Sequence, residues 1–324
     1  MPRKARLDVP GALHHIIVRG INKAKIFEDD VDKSRFLDRL GENVTEGKCS
    51  VYAWVLMDNH VHILFKSGKH GISAVMRKLL TWYAQYYNRR HKRTGHLFEN
   101  RYKSILCDED RYLLALVRYI HLNPVRANIV KTAEELDSYP FCGHSTIIGK
   151  TGHKWMDADY VLLQFGDTRR KALGAYRKFM REGVGLGKQP ELTGGGLLRS
   201  LGGWSQVVAI RRSGMKEEGD ERILGDGDFV HAILKETEER ELRQLKLKRS
   251  GKTIQMIIDK ECKRAGISPR EVTNGVRRRA VSRLRAVIAS RSRRELGMSA
   301  AEIARHMGVA ASSISRLIER MESN

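Results

Sequence analysis

The chain has 324 residues, of which 41% are hydrophobic, so it is long enough to form two or three domains with ordinary cores. Its 60 lysines and arginines exceed its 38 acids, and the formal charge of +22 favours a polyanionic partner, with nucleic acid as the first expectation. No apolar run approaches the roughly 18 to 20 residues of a membrane-spanning helix, and the basic N-terminus lacks the apolar segment of a secretory signal.

The first predicted elements are a strand, a helix and a hairpin. Residues 12–19 follow a Pro-Gly turn and predict a strand in which His14 and His15 face opposite ways, with packing or hydrogen bonding as their expected roles. Residues 29–46 have a helical apolar period with acids at the start. Residues 49–56 and 60–66 predict a hairpin closed by a Met-Asp-Asn turn.

Two histidines share one face of the second hairpin strand. His60 and His62 lie about 7 Å apart along the backbone, so both can reach one metal ion, although a solvated or hydrogen-bonded pair is commoner. A later segment favours the metal interpretation, because Tyr119 and Asn123 share a helical face just before a proline that ends the helix. Two imidazoles, a phenol and a carboxamide suit phosphoryl transfer, in which a metal polarises a phosphate oxygen and Tyr119 attacks phosphorus.

The remaining elements of this region complete a domain. Residues 72–90 predict a helix whose aromatic side chains are expected in the core more than in stacking on bases. Residues 98–106 predict a strand, and residues 110–123 a helix that carries Tyr119. The order β-α-β-β-α-β-α predicts an α+β, ferredoxin-like domain, an antiparallel sheet with helices packed on one face.

A basic loop at residues 88–95 leads into the strand beside the proposed site. Such a charge run is commonly a solvated face, but its position here favours phosphate contact. The DNA-binding candidates of this region are Arg89, Arg90, Lys92, Arg93, Arg101 and Lys103.

Several of these motifs resemble one family, the single-tyrosine HUH transposases, and in particular the REP-associated tyrosine transposases. The resemblance covers about residues 1–145 and is carried by residues 10–20, 60–62, 88–98, 101–103 and 119–124. It implies that His60 and His62 bind the metal and that Tyr119 is the nucleophile. Asn123 stands where related insertion-sequence transposases usually carry a metal-binding Gln, and is one methylene shorter.

The same resemblance implies an enzyme, a metal-dependent endonuclease and strand transferase acting on single-stranded DNA. Tyr119 would form a 5′-phosphotyrosyl link and release a free 3′-hydroxyl, at hairpin or repeat DNA. Mg²⁺ or Mn²⁺ is the expected cofactor, because phosphate and amide oxygens suit hard ions. We divide the chain into this domain at 1–145, a helical extension and Gly-rich connector at 146–227, and a helical domain at 228–324.

The connector and the helical domain carry different signals. Residues 192–227 are rich in glycine and contain no nucleotide-binding loop pattern. Between residues 270 and 294 there are nine arginines and one acid, interleaved with apolar residues, which suits contact with a duplex backbone. Ser299 with Glu302 predicts a capping box, and Gly308 a turn before a helix at 310–321, the pattern of a helix-turn-helix.

A plain helical hairpin is the alternative for this last pattern. Residues 253–318 also resemble, less specifically, the origin-binding C-terminal domain of the replication initiator DnaA. The DNA-binding candidates of this region are Arg277, Arg278, Arg279, Arg283, Ser312, Ser313, Ser315 and Arg316.

Other functions are weighed against the transposase hypothesis. A non-catalytic, sequence-specific DNA-binding regulator would use the helix-turn-helix alone, whereas a zinc hydrolase would need a further protein ligand at conventional spacing. Four cysteines without a Cys-x-x-Cys pair are typical of reduced thiols in a cytoplasmic protein. The expected partner is DNA, single-stranded at the first domain and duplex at the last. We do not expect a membrane partner. The sequence leaves open whether the protein is a monomer or a homodimer.

Overall fold

The computed structural model describes residues 7–69, 71–187, 189, 192, 220–249, 253–274, 276, 278–298 and 300–322. The chain forms two compact units, residues 1–233 and 234–324, each with a hydrophobic core of its own. The first unit is α+β and the second is helical. Within the described ranges, no helix is long and apolar enough to cross a membrane.

The strands of the first unit are β1 (Leu13–Arg19), β2 (Ser50–Met57), β3 (His60–Lys66), β4 (Lys103–Cys107) and β5 (Ile223–Leu224). Its helices are α1 (Asp30–Glu46), α2 (Ser73–Arg90), α3 (Glu109–His121), α4 (Asn123–Arg126), α5 (Ala133–Asp137), α6 (Gly143–Ile147), α7 (Ala158–Leu163) and α8 (Arg169–Gly183). Helix α9 (Gly227–Arg249) begins in the first unit and continues into the second.

The sheet is mixed, with the strand order β2-β3-β1-β4-β5. The three contacts among β1, β2, β3 and β4 are antiparallel, as expected, but β5 adds to β4 in parallel. Strand β5 belongs to the segment that the sequence predicts as a connector. Two residues are too few to show an alternating pattern, which is why this strand escapes sequence analysis.

One row of side chains crosses the sheet on a single face. Ile17 lies opposite His62 on one side and Lys103 on the other, and opposite residues in antiparallel pairs share a face. His15 is two residues from Ile17 on β1, and His60 is two residues from His62 on β3, so both belong to the same face. This face is called the histidine face.

The other face of the sheet is covered by α1. Trp54 lies opposite Ile63, and its indole is 5.6 Å from the ring of Trp155. Trp155 in turn lies so close to Gly41 of α1 that a Cβ there would be 2.3 Å from the indole. Helix α3 packs on the histidine face, so helices cover both faces and not one as expected. The near-continuous burial of β2 and β3 follows from this double cover.

Residues 146–187 pack into the same core as residues 1–145, with Tyr176 of α8 fully buried. The Tyr176 hydroxyl lies 3.0 Å from His121 Nδ1 and 2.9 Å from His144 Nδ1, and His144 Nε2 lies 2.7 Å from Asp137 Oδ1. Burial lowers the pKa of both histidines, so both imidazoles are neutral at pH 7.

The order of donors in this buried chain follows from the carboxylate, which only accepts. His144 therefore donates from Nε2 to Asp137 and accepts at Nδ1 from the Tyr176 hydroxyl. The hydroxyl oxygen accepts in turn from Nδ1 of His121, the last residue of α3. The expected extension thus anchors the end of the helix that carries Tyr119.

The second unit contains α10 (Ile254–Ala265), α11 (Pro269–Thr273), α12 (Arg279–Leu296), α13 (Ala300–Met307) and α14 (Ala311–Glu322). Gly308 has φ +60° and makes the turn between α13 and α14, where a Cβ would lie 2.2 Å from the Thr273 carbonyl oxygen. Ile314 and Ile318 are fully buried and lie on the inward face of the last helix. The capping box of Ser299 and Glu302 depends on Ser299, which lies outside the described residues.

Replacing Tyr176 by Phe should destabilise the protein by about 1–3 kcal/mol, because two buried imidazole nitrogens lose their partner. Urea unfolding of the full chain measures this loss. Tyr139→Phe is the matched control, since its hydroxyl donates one bond to the Leu56 carbonyl at 3.1 Å, and it should cost about 0.5–1.5 kcal/mol. An unchanged unfolding midpoint in the Tyr176 variant would contradict the buried chain.

Candidate active site

A cavity of about 700 Å³ opens on the histidine face. Its lining includes His60, His62, Tyr119 and Asn123, the predicted metal ligands and nucleophile, so the structure brings all of them together. The charged and amide side chains that share the lining are Arg19, Glu99, Asn100, Arg101, Lys103, Arg126 and Gln189. Four cations against one acid make this a cavity that favours a polyanion.

The two histidines of β3 stand edge to face, with ring centroids 5.1 Å apart and an interplanar angle of 81°. His60 Nδ1 lies 2.6 Å from the Asn59 side-chain oxygen, which accepts its hydrogen bond. Burial, together with the charge of Arg19, lowers the pKa of His60 to about 4. The ring is therefore neutral at pH 7 and keeps its lone pair on Nε2.

His62 is fixed by a buried hydrogen-bond chain. Its Nδ1 lies 2.9 Å from Nε2 of His15, and Nδ1 of His15 lies 3.0 Å from the Leu192 carbonyl oxygen. A carbonyl only accepts, so His15 donates from Nδ1. Burial lowers the pKa of His15 to about 4 and holds that of His62 well below its usual value, so both rings are neutral. His15 then accepts from His62, which leaves the lone pair of His62 on Nε2.

His15 contacts His62 in this site, but the sequence does not identify it as a candidate site residue. Alternation along β1 puts His15, and not His14, on the face of Ile17. The register that sets Ile17 opposite His62, and so turns this face toward the site, is visible only in the structure. The partner Leu192 lies in the predicted connector, 177 residues from His15. A histidine that binds a metal generally donates its other ring N–H to a neighbouring acceptor, which fixes the tautomer, and His15 is such an acceptor for His62.

Tyr119 is 9% exposed and stands edge-on to two histidines, with its ring centroid 5.9 Å from that of His62 and 6.0 Å from that of His15. The guanidinium of Arg126 lies over the same ring, 4.8 Å from its centroid. Nη1 of Arg126 also donates to the Tyr119 carbonyl at 2.7 Å. The nucleophile candidate is thus held between the histidine face and a cation.

The sequence predicts that Asn123 ends the helix that carries Tyr119. In the structure α3 stops at His121, and Asn123 is the first residue of α4. Its Nδ2 donates to the carbonyls of Tyr119 at 3.1 Å and Ile120 at 3.3 Å. These bonds orient the carboxamide, and Oδ1 is the atom left to bind a ligand. The predicted third metal ligand therefore lies in the cavity with its oxygen as the donor.

The side chains present fit a hard divalent ion better than structural zinc. No cluster of three or more His, Cys, Asp or Glu residues that could hold a metal occurs among the residues the structure describes. Structural zinc takes four protein ligands, whereas Mg²⁺ and Mn²⁺ accept amide oxygens and complete their shells with phosphate and water. Two imidazole nitrogens with adjacent amide oxygens suit Mn²⁺ or Mg²⁺ in contact with substrate.

Arg90 has a structural role, contrary to the expectation that it contacts DNA. It forms ion pairs with Asp29, at 2.6 Å, and with the fully buried Asp32. These carboxylates lie at the start of α1, so the pairs fasten the end of α2 to that helix. These ion pairs give Arg90 a role within the fold that its place in a basic loop does not suggest.

The other predicted basic residues of the first unit remain at the surface. Arg89 and Lys92 are exposed, and Arg93 is half-buried and donates to the His96 carbonyl at 3.3 Å. Arg101 and Lys103 are exposed and line the cavity beside Tyr119. The last two are the best placed of the set for contact with a reacting phosphate.

The DNA-binding candidates in the second unit also differ in their exposure. Arg279, Arg283, Ser312 and Arg316 are exposed, Ser313 and Ser315 are half-buried, and Arg278 is exposed but paired with Glu271 at 2.6 Å. Arg277 lies outside the described residues.

Arg285 departs from the expected solvated arginine face. It is buried and donates to the carbonyls of Val272 at 2.9 Å, Val276 at 2.6 Å and Glu271 at 3.0 Å. It thus holds the segment before α12 against that helix. An arginine with this role has the same sequence pattern as its exposed neighbours.

Comparison with known proteins places this site in a family context. Residues 9–123 match the family model described as "Transposase IS200 like". A solved structure described as "Structure of the REP associates tyrosine transposase bound to a REP hairpin" is 17% identical, covering 48% of this chain and 91% of that chain, with a TM-score of 0.38. The search of the curated proteins gave no match. The similarity to the IS200-like transposase family thus extends over residues 9–123, the segment that contains His60, His62, Tyr119 and Asn123.

Proposed function

We propose that this protein is a metal-dependent endonuclease and strand transferase for single-stranded DNA, an HUH-type tyrosine transposase. One observation carries the proposal. Tyr119 lies edge-on to His62 in a cation-lined cavity, within the segment that matches the transposase family. We take hairpin or repeat DNA as the substrate, on the motif resemblance described above.

The proposed reaction begins with attack of the Tyr119 hydroxyl oxygen on a backbone phosphorus. The new bond joins tyrosine to the 5′-phosphate, the bond to the 3′ oxygen breaks, and a 3′-hydroxyl is released. Attack by a 3′-hydroxyl on the phosphotyrosine reverses these changes and joins strands. No nucleotide cofactor is needed, because the phosphotyrosine keeps the ester bond.

The protein's own contribution is to hold the groups in place. Nε2 of His60, Nε2 of His62 and Oδ1 of Asn123 are the atoms that would hold Mg²⁺ or Mn²⁺, which when bound polarises a phosphate oxygen. Arg101, Lys103 and Arg126 line the same cavity and offset the charge of the phosphate. Burial keeps both imidazoles neutral, so they are ready to bind a cation.

The arrangement of the sheet supports a ferredoxin-like description of this domain. Its first elements follow the order β-α-β-β-α-β, and the four strands concerned lie in the order β2-β3-β1-β4. In that arrangement the two central strands, β1 and β3, carry the row of histidines.

We also propose that the second unit binds duplex DNA through a helix-turn-helix formed by α13 and α14. A short helix, a glycine turn and a longer helix with a buried apolar side support this assignment. The exposed side chains of Arg283 and Arg316 are available for phosphate contact.

Tyr119→Phe should abolish a covalent protein–DNA adduct, because phenylalanine has no oxygen to attack phosphorus. The measurement is a denaturing gel of the full chain with labelled single-stranded hairpins and Mn²⁺. Tyr112→Phe on the same helix is the matched control and should keep the adduct, since Tyr112 does not line the cavity. An adduct that survives Tyr119→Phe would mean that another residue attacks, and no wild-type adduct would favour the regulator.

His60→Ala should abolish cleavage and weaken Mn²⁺ binding by at least about tenfold, whereas His96→Ala, outside this cavity, should change neither. Calorimetry without DNA measures the affinity. The pKa of His60 is lowered to about 4, so wild-type affinity should change little between about pH 8 and pH 6. Affinity that falls steeply through about pH 6.5 would mean that a histidine of ordinary pKa binds the ion.

Arg283→Ala and Arg316→Ala should each weaken duplex binding by the full chain and lower its salt dependence by about one unit of slope per lost phosphate contact. Fluorescence anisotropy at several salt concentrations measures both quantities. Lys260→Ala removes one exposed charge from α10 and is the matched control. Equal effects of all three changes would indicate a response to net charge and not a defined binding face.

A further inference from the structure

Gln189 brings a third carboxamide into the active-site cavity, beside those of Asn100 and Asn123. It follows α8 in the chain and lies in the lining with His60, His62 and Tyr119. Its side-chain oxygen, Oε1, is buried and has no hydrogen-bond partner among the described residues. A buried polar atom without a partner is uncommon in folded proteins and calls for a physical reason.

Gln189 is hydrogen-bonded to Leu192, which in turn contacts the site. The Leu192 N–H donates to the Gln189 carbonyl at 3.2 Å, and the Leu192 carbonyl accepts from His15 at 3.0 Å. The Leu192 side chain is buried in the core of the first unit. Leu192 therefore contacts both sides of the site, His62 through His15 and Gln189 through its backbone.

The chemistry of the cavity identifies what the oxygen can bind. An amide oxygen is an acceptor, so it takes either a hydrogen-bond donor or a hard cation. The cavity holds two neutral imidazoles with lone pairs on Nε2 and the oxygen of Asn123, a set that leaves room in the shell of a six-coordinate ion. A further amide oxygen is neutral, so it adds a ligand to this set without placing a negative charge beside a bound phosphate.

We propose that Oε1 of Gln189 is a direct ligand of the divalent ion bound by His60 and His62. The metal centre is then completed from outside the segment that matches the transposase family, residues 9–123. This inference rests on the proposed function, since it assumes that the histidine pair binds a metal. Asn123 and Gln189 would supply amide oxygens from two different parts of the chain.

The test is Mn²⁺ binding to the DNA-free, full-length protein. The electron paramagnetic resonance signal of free Mn²⁺ measures how much of the ion is bound. Gln189→Met keeps the length of the side chain and removes the oxygen, and should weaken binding about 10- to 100-fold. Gln189→Glu restores an oxygen ligand and should bind at least as tightly as the wild type. Gln85→Met is the matched control, because Gln85 is exposed and outside this cavity, and should leave affinity unchanged.

Unfolding in EDTA separates a ligand from a structural residue. Gln189→Met should keep the wild-type midpoint without metal, because the lost oxygen has no protein partner. A lower midpoint in EDTA together with weaker Mn²⁺ binding would make Gln189 structural and overturn the inference.

The remaining outcomes are equally decisive. Wild-type Mn²⁺ affinity in Gln189→Met overturns the inference while leaving the histidine site intact. Unchanged Mn²⁺ affinity with weaker binding of single-stranded DNA would assign the oxygen to the substrate and also overturn it. Equal Mn²⁺ binding by the wild type and His60→Ala would instead remove the metal centre on which the proposed function depends.

Discussion

The hydrogen bond between His15 and His62 is the contact on which the geometry of the site depends. A buried neutral imidazole has one proton and one lone pair, so fixing the donor at one nitrogen decides what the other can do. The Leu192 carbonyl sets His15, His15 sets His62, and a lone pair is left on Nε2 of His62, as Asn59 leaves one on His60. The pairing of β1 with β3 places the two rings in contact, so the sheet itself directs the nitrogen of His62 that keeps the lone pair.

Tyr119 is positioned from a different part of the fold. Helix α3 is tied at its end to α8 through His121 and Tyr176, while Arg126 holds both the ring and the carbonyl of Tyr119. The histidines lie on strands, and Tyr119 lies on a helix packed against those strands. The distance between the rings is therefore set by the packing of the helix on the sheet. Rigid elements hold reacting groups more precisely than loops do. The extension after residue 145 therefore contributes to the active site without lining most of it.

The sequence predicts well which side chains meet in the cavity, because their signals are local. His60 and His62 follow from strand alternation, and Tyr119 and Asn123 from helical spacing, although the helix breaks between the last two. His15, Gln189 and Leu192 escape prediction because their partners are distant along the chain and depend on strand register. The contacts of Arg90 and Arg285 escape prediction for a related reason. A basic side chain looks the same in sequence whether it meets solvent, a buried carboxylate or three backbone carbonyls.

The distance along the chain between His15 and Leu192 has a consequence for synthesis. These two residues are 177 positions apart, so most of the first unit must leave the ribosome before the carbonyl that orients His15 can reach it. During that interval the strands that carry the histidines are already made, but the tautomer of His62 is not yet fixed. The order of translation thus delays completion of the site until the surrounding core is present. In a growing chain the cavity is in this way left incomplete until the core around it has been made.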